Sequence, residues 1–174
     1  MNKENLGKKI VEVACLRGEF ILRSGRKSNY YLDKYLFETR PEILKPLAAE
    51  IAKLLPPEDQ FDRLAGPELG AVAIAAAVSL ETSLPYIIAR KQAKDHGTNK
   101  LFEGKLDQGE RLVLIEDVLT TGGQAIKSAQ ALQEFGCKIV MIIGVIDREE
   151  GAREAIEQAG FKLRSLFTKT ELGL

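Results

Sequence analysis

Arg111-Leu-Val-Leu-Ile-Glu116-Asp117-Val118-Leu119-Thr120-Thr121-Gly122-Gly123-Gln124-Ala125 is the stretch on which the fold turns. A charged residue opens it, and the apolar run 111–115 reads as a buried strand. Two acids end the strand, a turn of threonine and glycine follows, and a helix opens over 121–135 with Ala125, Ala129 and Leu132 on one face. In an open α/β sheet, ligands sit just beyond the carboxyl ends of the strands. The amides of Thr121, Gly122 and Gly123 then lie at a helix N-terminus, where free donors and the helix dipole favour an anion. Glycine lets backbone approach such an anion closely. Acids beside an anion site make sense when the ligand is a sugar phosphate: carboxylates accept from vicinal hydroxyls while the turn holds the phosphate. Neither GxxxxGK[ST] nor GxGxxG is present. The plain alternative is a strand–turn–helix junction with threonine as N-cap and solvated acids.

Outward from this turn the chain alternates. Strands are expected at 62–65, 85–89, 138–146 and 161–167, and helices at 41–55, 70–80 and 152–159. Repeated βα units with apolar strands imply an α/β fold, a central mostly parallel sheet flanked by helices. The first 35 residues break the alternation: a helix over 6–16, then short β-like runs at 19–22 and 30–33 around the polar turn 23–27. They read as a small N-terminal hood. The expectation is one domain over 1–174, with a hood at 1–35 and a Rossmann-like core over about 36–174.

A chain of 174 residues is long enough to bury about 70% of its surface without staples. With 45% hydrophobic and 29% charged residues it is an ordinary globular composition, which excludes disordered and low-complexity classes. Lys+Arg and Asp+Glu are both 25, so no general basic excess points to nucleic acid. Cys15 and Cys137 stand far apart and there is one histidine, which argues against a Cys/His zinc site and for a reducing, cytoplasmic setting. The N-terminus lacks the apolar core of a signal peptide, and the longest apolar run, 71–80, is too short to span a bilayer.

One local patch departs from neutrality. From Arg90 to Lys100 the chain carries Arg90, Lys91, Lys94 and Lys100 against Asp95, a local charge of +3, together with His96. Such a loop can close over a pyrophosphate and supply charge-assisted hydrogen bonds. By composition alone it reads equally as a solvated surface loop.

The full string from Arg111 to Ala125 resembles the phosphoribosyl pyrophosphate (PRPP) signature of the type I phosphoribosyltransferases. Three further strings are similar to the orotate phosphoribosyltransferases of that class. They are 20–33 (FILRSGRKSNYYLD) as an orotate-site segment, 90–97 (RKQAKDHG) as a mobile catalytic loop, and 147–150 (DREE) as a strand end. The resemblance implies the type I phosphoribosyltransferase fold. It also implies a Mg²⁺-dependent reaction of PRPP with orotate, giving orotidine 5′-monophosphate and pyrophosphate through an oxocarbenium-like ribosyl cation. It places catalysis on Arg90, Lys94, His96 and Asp117. PRPP would be held by Arg90, Lys91, Lys94 and His96 at the pyrophosphate and by Glu116 and Asp117 at the ribose hydroxyls. The stretch Val118, Leu119, Thr120, Thr121, Gly122, Gly123, Gln124 and Ala125 would wrap the 5′-phosphate. Orotate would meet Arg23, Tyr31, Leu32, Thr120 and Arg148, the last at its carboxylate. No protein metal ligand is implied, since PRPP and water hold most of the Mg²⁺ shell. A homodimer is implied, with loop 90–100 shared across its interface, and no nucleic-acid or membrane partner. Read plainly, Arg148 is a surface residue paired with Glu149 or Glu150. One departure stands out: some relatives carry lysine where this chain has Gly70.

Overall fold

The computed structural model describes residues 1–21, 25, 27–91 and 101–174. A six-stranded sheet forms the centre. Its strands are β3 (Arg63–Pro67), β4 (Tyr86–Ala89), β5 (Phe102–Glu103), β6 (Arg111–Leu119), β7 (Lys138–Asp147) and β8 (Leu163–Thr168). They lie in the order β5-β4-β3-β6-β7-β8. All neighbours pair in parallel except β5, which runs antiparallel to β4 at the edge.

Helices cover both faces because the central strands are apolar on both faces. Val113, Ile115, Ile143 and Val145 pack with α1 (Lys3–Ala14), α3 (Pro41–Ala52) and α4 (Gly70–Thr82) through Leu6, Ile10, Leu47 and Ile74. Leu112, Leu114 and Ile142 pack with α5 (Gly123–Phe135) and α6 (Ala152–Gln158) through Ala129, Leu132 and Ile156. The two-residue alternation along β6 thus feeds two cores.

The N-terminal segment divides. Strands β1 (Cys15–Ile21) and β2 (Lys27–Leu32) form a separate antiparallel sheet. Helix α1, by contrast, buries Leu6, Ile10 and Ala14 in the same cluster as α3 and α4. It ends at Ala14 rather than Leu16, because Cys15 and Leu16 pair with Leu32 and Tyr31. A four-residue helix, α2 (Tyr35–Glu38), follows β2. It is too short to leave a periodic signal, as is the two-residue β5.

Strand β6 runs four residues beyond its expected end. Glu116, Val118 and Leu119 continue the ladder against Gly144, Ile146 and Asp147 of β7, so the two acids lie within the strand. Close packing supports that end: a Cβ on Gly144 would overlap the Leu119 side chain. Among the described residues no helix is long and apolar enough to cross a membrane.

Candidate active site

The parallel strands β3, β4, β6 and β7 bring their carboxyl ends to one edge of the sheet, where the anticipated groups gather. Helix α5 begins at Gly123 rather than Thr121. Its N-cap is Gly122, at φ 76°, and no side chain caps it. The threonine-cap alternative is therefore not what the structure shows, and the orphan amides of the first turn remain for a ligand. Gly122 is required twice over, since φ is left-handed and a Cβ would press to 3.1 Å on the Ala152 carbonyl and the Ile156 side chain. Thr120, Thr121, Gly123 and Gln124 are exposed around the turn. Leu119 and Ala125 are buried in the core. They offer the ligand only backbone.

The acids are buried. Glu116 is 9% exposed with Oε2 unpartnered, and Asp117 is 2% exposed. Asp117 Oδ1 accepts its neighbour's amide, from Val118 N at 2.5 Å, and Oδ2 accepts from Lys34 Nζ. Glu38 of α2 is also buried, with Oε1 unpartnered. Burial foremost, and then the charge of Asp117, push both Glu38 and Glu116 up to about 8. In the unfolded chain these groups ionise near 4.5. Between those values the native state holds more protons than the unfolded state, so stability falls as pH rises from about 4.5 to 8. Glu38→Gln removes one of the two protons concerned. At pH 8 its melting temperature should exceed that of the parent by about 2–4 °C for each kcal/mol recovered, and the gain should vanish by pH 5. Equal gains at both pH values would refute the assignment.

Arg90 and Lys91 follow β4. Arg90 Nη1 lies 3.4 Å from Glu103 Oε1 and 4.0 Å from Glu68 Oε2. The Lys91 amide donates to Glu68 Oε1 at 2.9 Å. Glu68 therefore ties the start of the basic loop to the turn after β3, where the Glu68–Leu69 peptide is cis. Lys94 and His96, and Arg23 of the polar turn, lie outside the described residues.

Arg148 follows the last residue of β7, beside a polar cavity of about 590 Å³ that Lys27, Tyr30, Glu150 and Lys169 also line. Its amide donates to the Leu119 carbonyl at 2.9 Å, which ties the cavity to the phosphate turn. The side chain is 13% exposed, with Nη2 3.1 Å from Glu150 Oε1 and Nε buried without a partner. Arg148 is thus paired with Glu150, as the plain reading held, and is also an under-satisfied donor at a cavity wall. Its Nη2 donates to the Tyr30 hydroxyl at 3.4 Å, and its guanidinium lies 5.6 Å from that ring. The structure does not bring Tyr31 to Arg148. Tyr31 points the other way along the pleat, 45% exposed and stacked near Phe20, and Leu32 packs in the core. Lys34 and Glu38 are absent from the residues singled out in sequence, and Tyr30, inside the segment 20–33, is given no site role there. Strand alternation separates Tyr30 from Tyr31 once the register is known, but nothing local marks Lys34 or Glu38.

The phosphoribosyl transferase domain family matches residues 38–163, a span from Glu38 through the turn, the basic loop and Arg148. An orotate phosphoribosyltransferase of Pyrococcus abyssi is 49% identical over 98% of this chain and 94% of its own length. The chain belongs to the orotate phosphoribosyltransferase family. The family's enzyme from Methanocaldococcus jannaschii is 44% identical over 98% of this chain and 96% of its own length. Among solved structures, the Mycobacterium tuberculosis orotate phosphoribosyltransferase with Fe(III) dicitrate superposes with a TM-score of 0.88 at 31% identity, covering 99% of each chain. The same enzyme in complex with PRPP gives a TM-score of 0.84 at 29% identity over 99% of each chain. The fold is the type I phosphoribosyltransferase fold of the family, and the chain is a phosphoribosyltransferase.

Proposed function

We propose that the chain transfers the ribose 5-phosphate of PRPP to N1 of orotate, the C1′–pyrophosphate bond breaking as the C1′–N1 bond forms. The observation that carries the base assignment is Arg148, a mostly buried guanidinium with an unpartnered Nε at the wall of a polar cavity, one bonded step from the phosphate turn. A planar base bearing a carboxylate suits that donor. The 5′-phosphate takes the uncapped N-terminus of α5 with the Thr120 and Thr121 hydroxyls. Glu116 and Asp117 accept from the ribose hydroxyls, and the Asp117 carboxylate favours the cationic ribose of the transition state. Arg90, Lys91, Lys94 and His96 neutralise the departing pyrophosphate, with Lys94 and His96 coming from the second subunit of a homodimer. Arg23 and Thr120 complete the base pocket, with Tyr30 in place of Tyr31 as the orienting partner of Arg148 and Leu32 packed in the core.

Among the described residues no group of three or more His, Cys, Asp or Glu side chains is arranged to hold a metal ion. The site fits Mg²⁺ that arrives on pyrophosphate oxygens and keeps its waters, as suits a hard ion that dehydrates reluctantly. When bound, the ion supplies charge neutralisation at the pyrophosphate. The domain division into a hood at 1–35 and a core beyond it, and a cytoplasmic setting, complete the reading; both cysteines are free, in line with a reducing compartment.

The deciding assay follows orotate absorbance with purified protein, PRPP and Mg²⁺, with adenine, hypoxanthine and uracil in parallel. Orotate consumption requiring all components is expected, and turnover of a different base overturns the assignment. Arg148→Ala should raise KM for orotate by about 10–100-fold, the worth of a charge-assisted hydrogen bond, while KM for PRPP moves less than threefold. Equal losses for both substrates would remove the carboxylate role.

A further inference from the structure

Three acids, Glu38, Glu116 and Asp117, are buried together at the carboxyl end of β6, and they are not equivalent. Glu38 and Glu116 each keep a buried oxygen without a partner, whereas Asp117 has both oxygens engaged. The group that makes the difference is Lys34, the residue before α2. Its side chain is 32% exposed and reaches a carboxylate that is only 3% exposed, so the ammonium stands between solvent and the acid. Burial works against the charge on Lys34, yet its pKa is raised, because the Asp117 hydrogen bond and the surrounding acids outweigh burial.

Gly70 shows that this arrangement is built for the space. A Cβ at position 70 would overlap Asp117 Oδ2 and lie 2.7 Å from Lys34 Nζ. Any side chain there would dislodge the pair. The turn after β3 therefore leaves its own position empty, and the cation comes from the chain between β2 and α2 instead. No other lysine or arginine is placed against Asp117 among the described residues.

Resting on the transfer reading above, we infer that Lys34 is a positioning residue for the reaction: in the free enzyme its ammonium holds the Asp117 carboxylate oriented at the mouth of the site, and ribose hydroxyls take its place on Oδ2 when PRPP enters. Released from Oδ2, the ammonium stays beside the anionic substrate and offsets the negative charge of Asp117. Without it, PRPP would approach a buried carboxylate with no counter-charge.

The groups that face this pair are Asp33, Tyr35 and Glu38 around α2, and Glu116 on β6, with Lys91 acting on Glu116 from the end of β4. The test compares Lys34→Met, Lys34→Gln and Lys34→Arg for kcat, KM of each substrate and melting temperature. Calorimetric titration with PRPP alone supplies a readout free of turnover.

Lys34→Met should lower kcat about 10–100-fold, weaken PRPP at least fivefold and leave KM for orotate within twofold. Lys34→Gln keeps a donor to Asp117 without the charge. It should show the same split between PRPP and orotate, and it carries the test if the methionine variant does not fold. Lys34→Arg should recover most of the parental kcat and PRPP affinity. Parental kcat and PRPP affinity in the Met or Gln variant, with only a lower melting temperature, would reduce Lys34 to a structural tie and overturn the inference. If the parent binds PRPP but turns over another base, the transfer-to-orotate reading fails while the PRPP titrations still decide Lys34.

Discussion

Asp117→Asn should lower kcat about 10²–10³-fold with little change in melting temperature, the scale seen when one preorganised electrostatic group is removed from a reacting centre. The amide keeps the shape of the carboxylate and can still accept the Val118 amide, so the strand end need not move. What it removes is the charge, and the charge has two uses. It pairs with Lys34, and in the proposed transfer it faces the ribose where positive charge grows as the pyrophosphate departs. The second use belongs to the transition state, so kcat should fall far more than KM for PRPP rises. Burial sharpens the effect, because at 2% exposure water cannot replace the lost charge. Steady-state kinetics beside a thermal melt check it. A variant that retains more than a tenth of the parental kcat would show that the ribose cation draws its stabilisation from elsewhere.

Gly66→Val should cost stability rather than chemistry alone. Gly66 lies in β3 directly beneath α4, and a Cβ there would sit 2.7 Å from the Ala75 Cβ and 2.8 Å from the Ala71 carbonyl oxygen. Both neighbours are fully buried, and one of the clashing atoms is backbone. No flexible side chain can yield, so the helix must lift from the sheet. Overpacking on this scale costs about 3 kcal/mol or more, which for a domain of this size is a fall in melting temperature of roughly 6–12 °C. A shift below about 2 °C, read by calorimetry, would mean that α4 moves freely over β3. Because α4 begins at Gly70, lifting it also withdraws Gly70 from Asp117, so residual folded protein should lose activity as well.

The two variants probe the two halves of one arrangement. Small residues let α4 approach the sheet, and that approach brings Gly70 against Asp117 with no room for a side chain. The Lys34 ammonium occupies the space that the missing side chain leaves. The packing of the core and the chemistry of the mouth are thus continuous.

Local pattern in the chain was enough to reveal the parallel sheet, the order of its helices, and the glycine-rich turn between Glu116 and Ala125. Each of these depends on spacing within a dozen residues: period-two alternation, helical spacing, and glycine where a backbone must turn. The same local rules stopped β6 at the acids, because charge reads as the end of a strand. Its true end is set by pairing with β7 up to Asp147. Which of two adjacent tyrosines meets Arg148, and which cation holds Asp117, were decided only by the tertiary structure. Tyr30 and Arg148 are 118 residues apart, and Lys34 and Asp117 are 83 apart. The sheet brings such groups together only after the whole fold has closed, and no periodicity within a segment records which distant side chain will be waiting there.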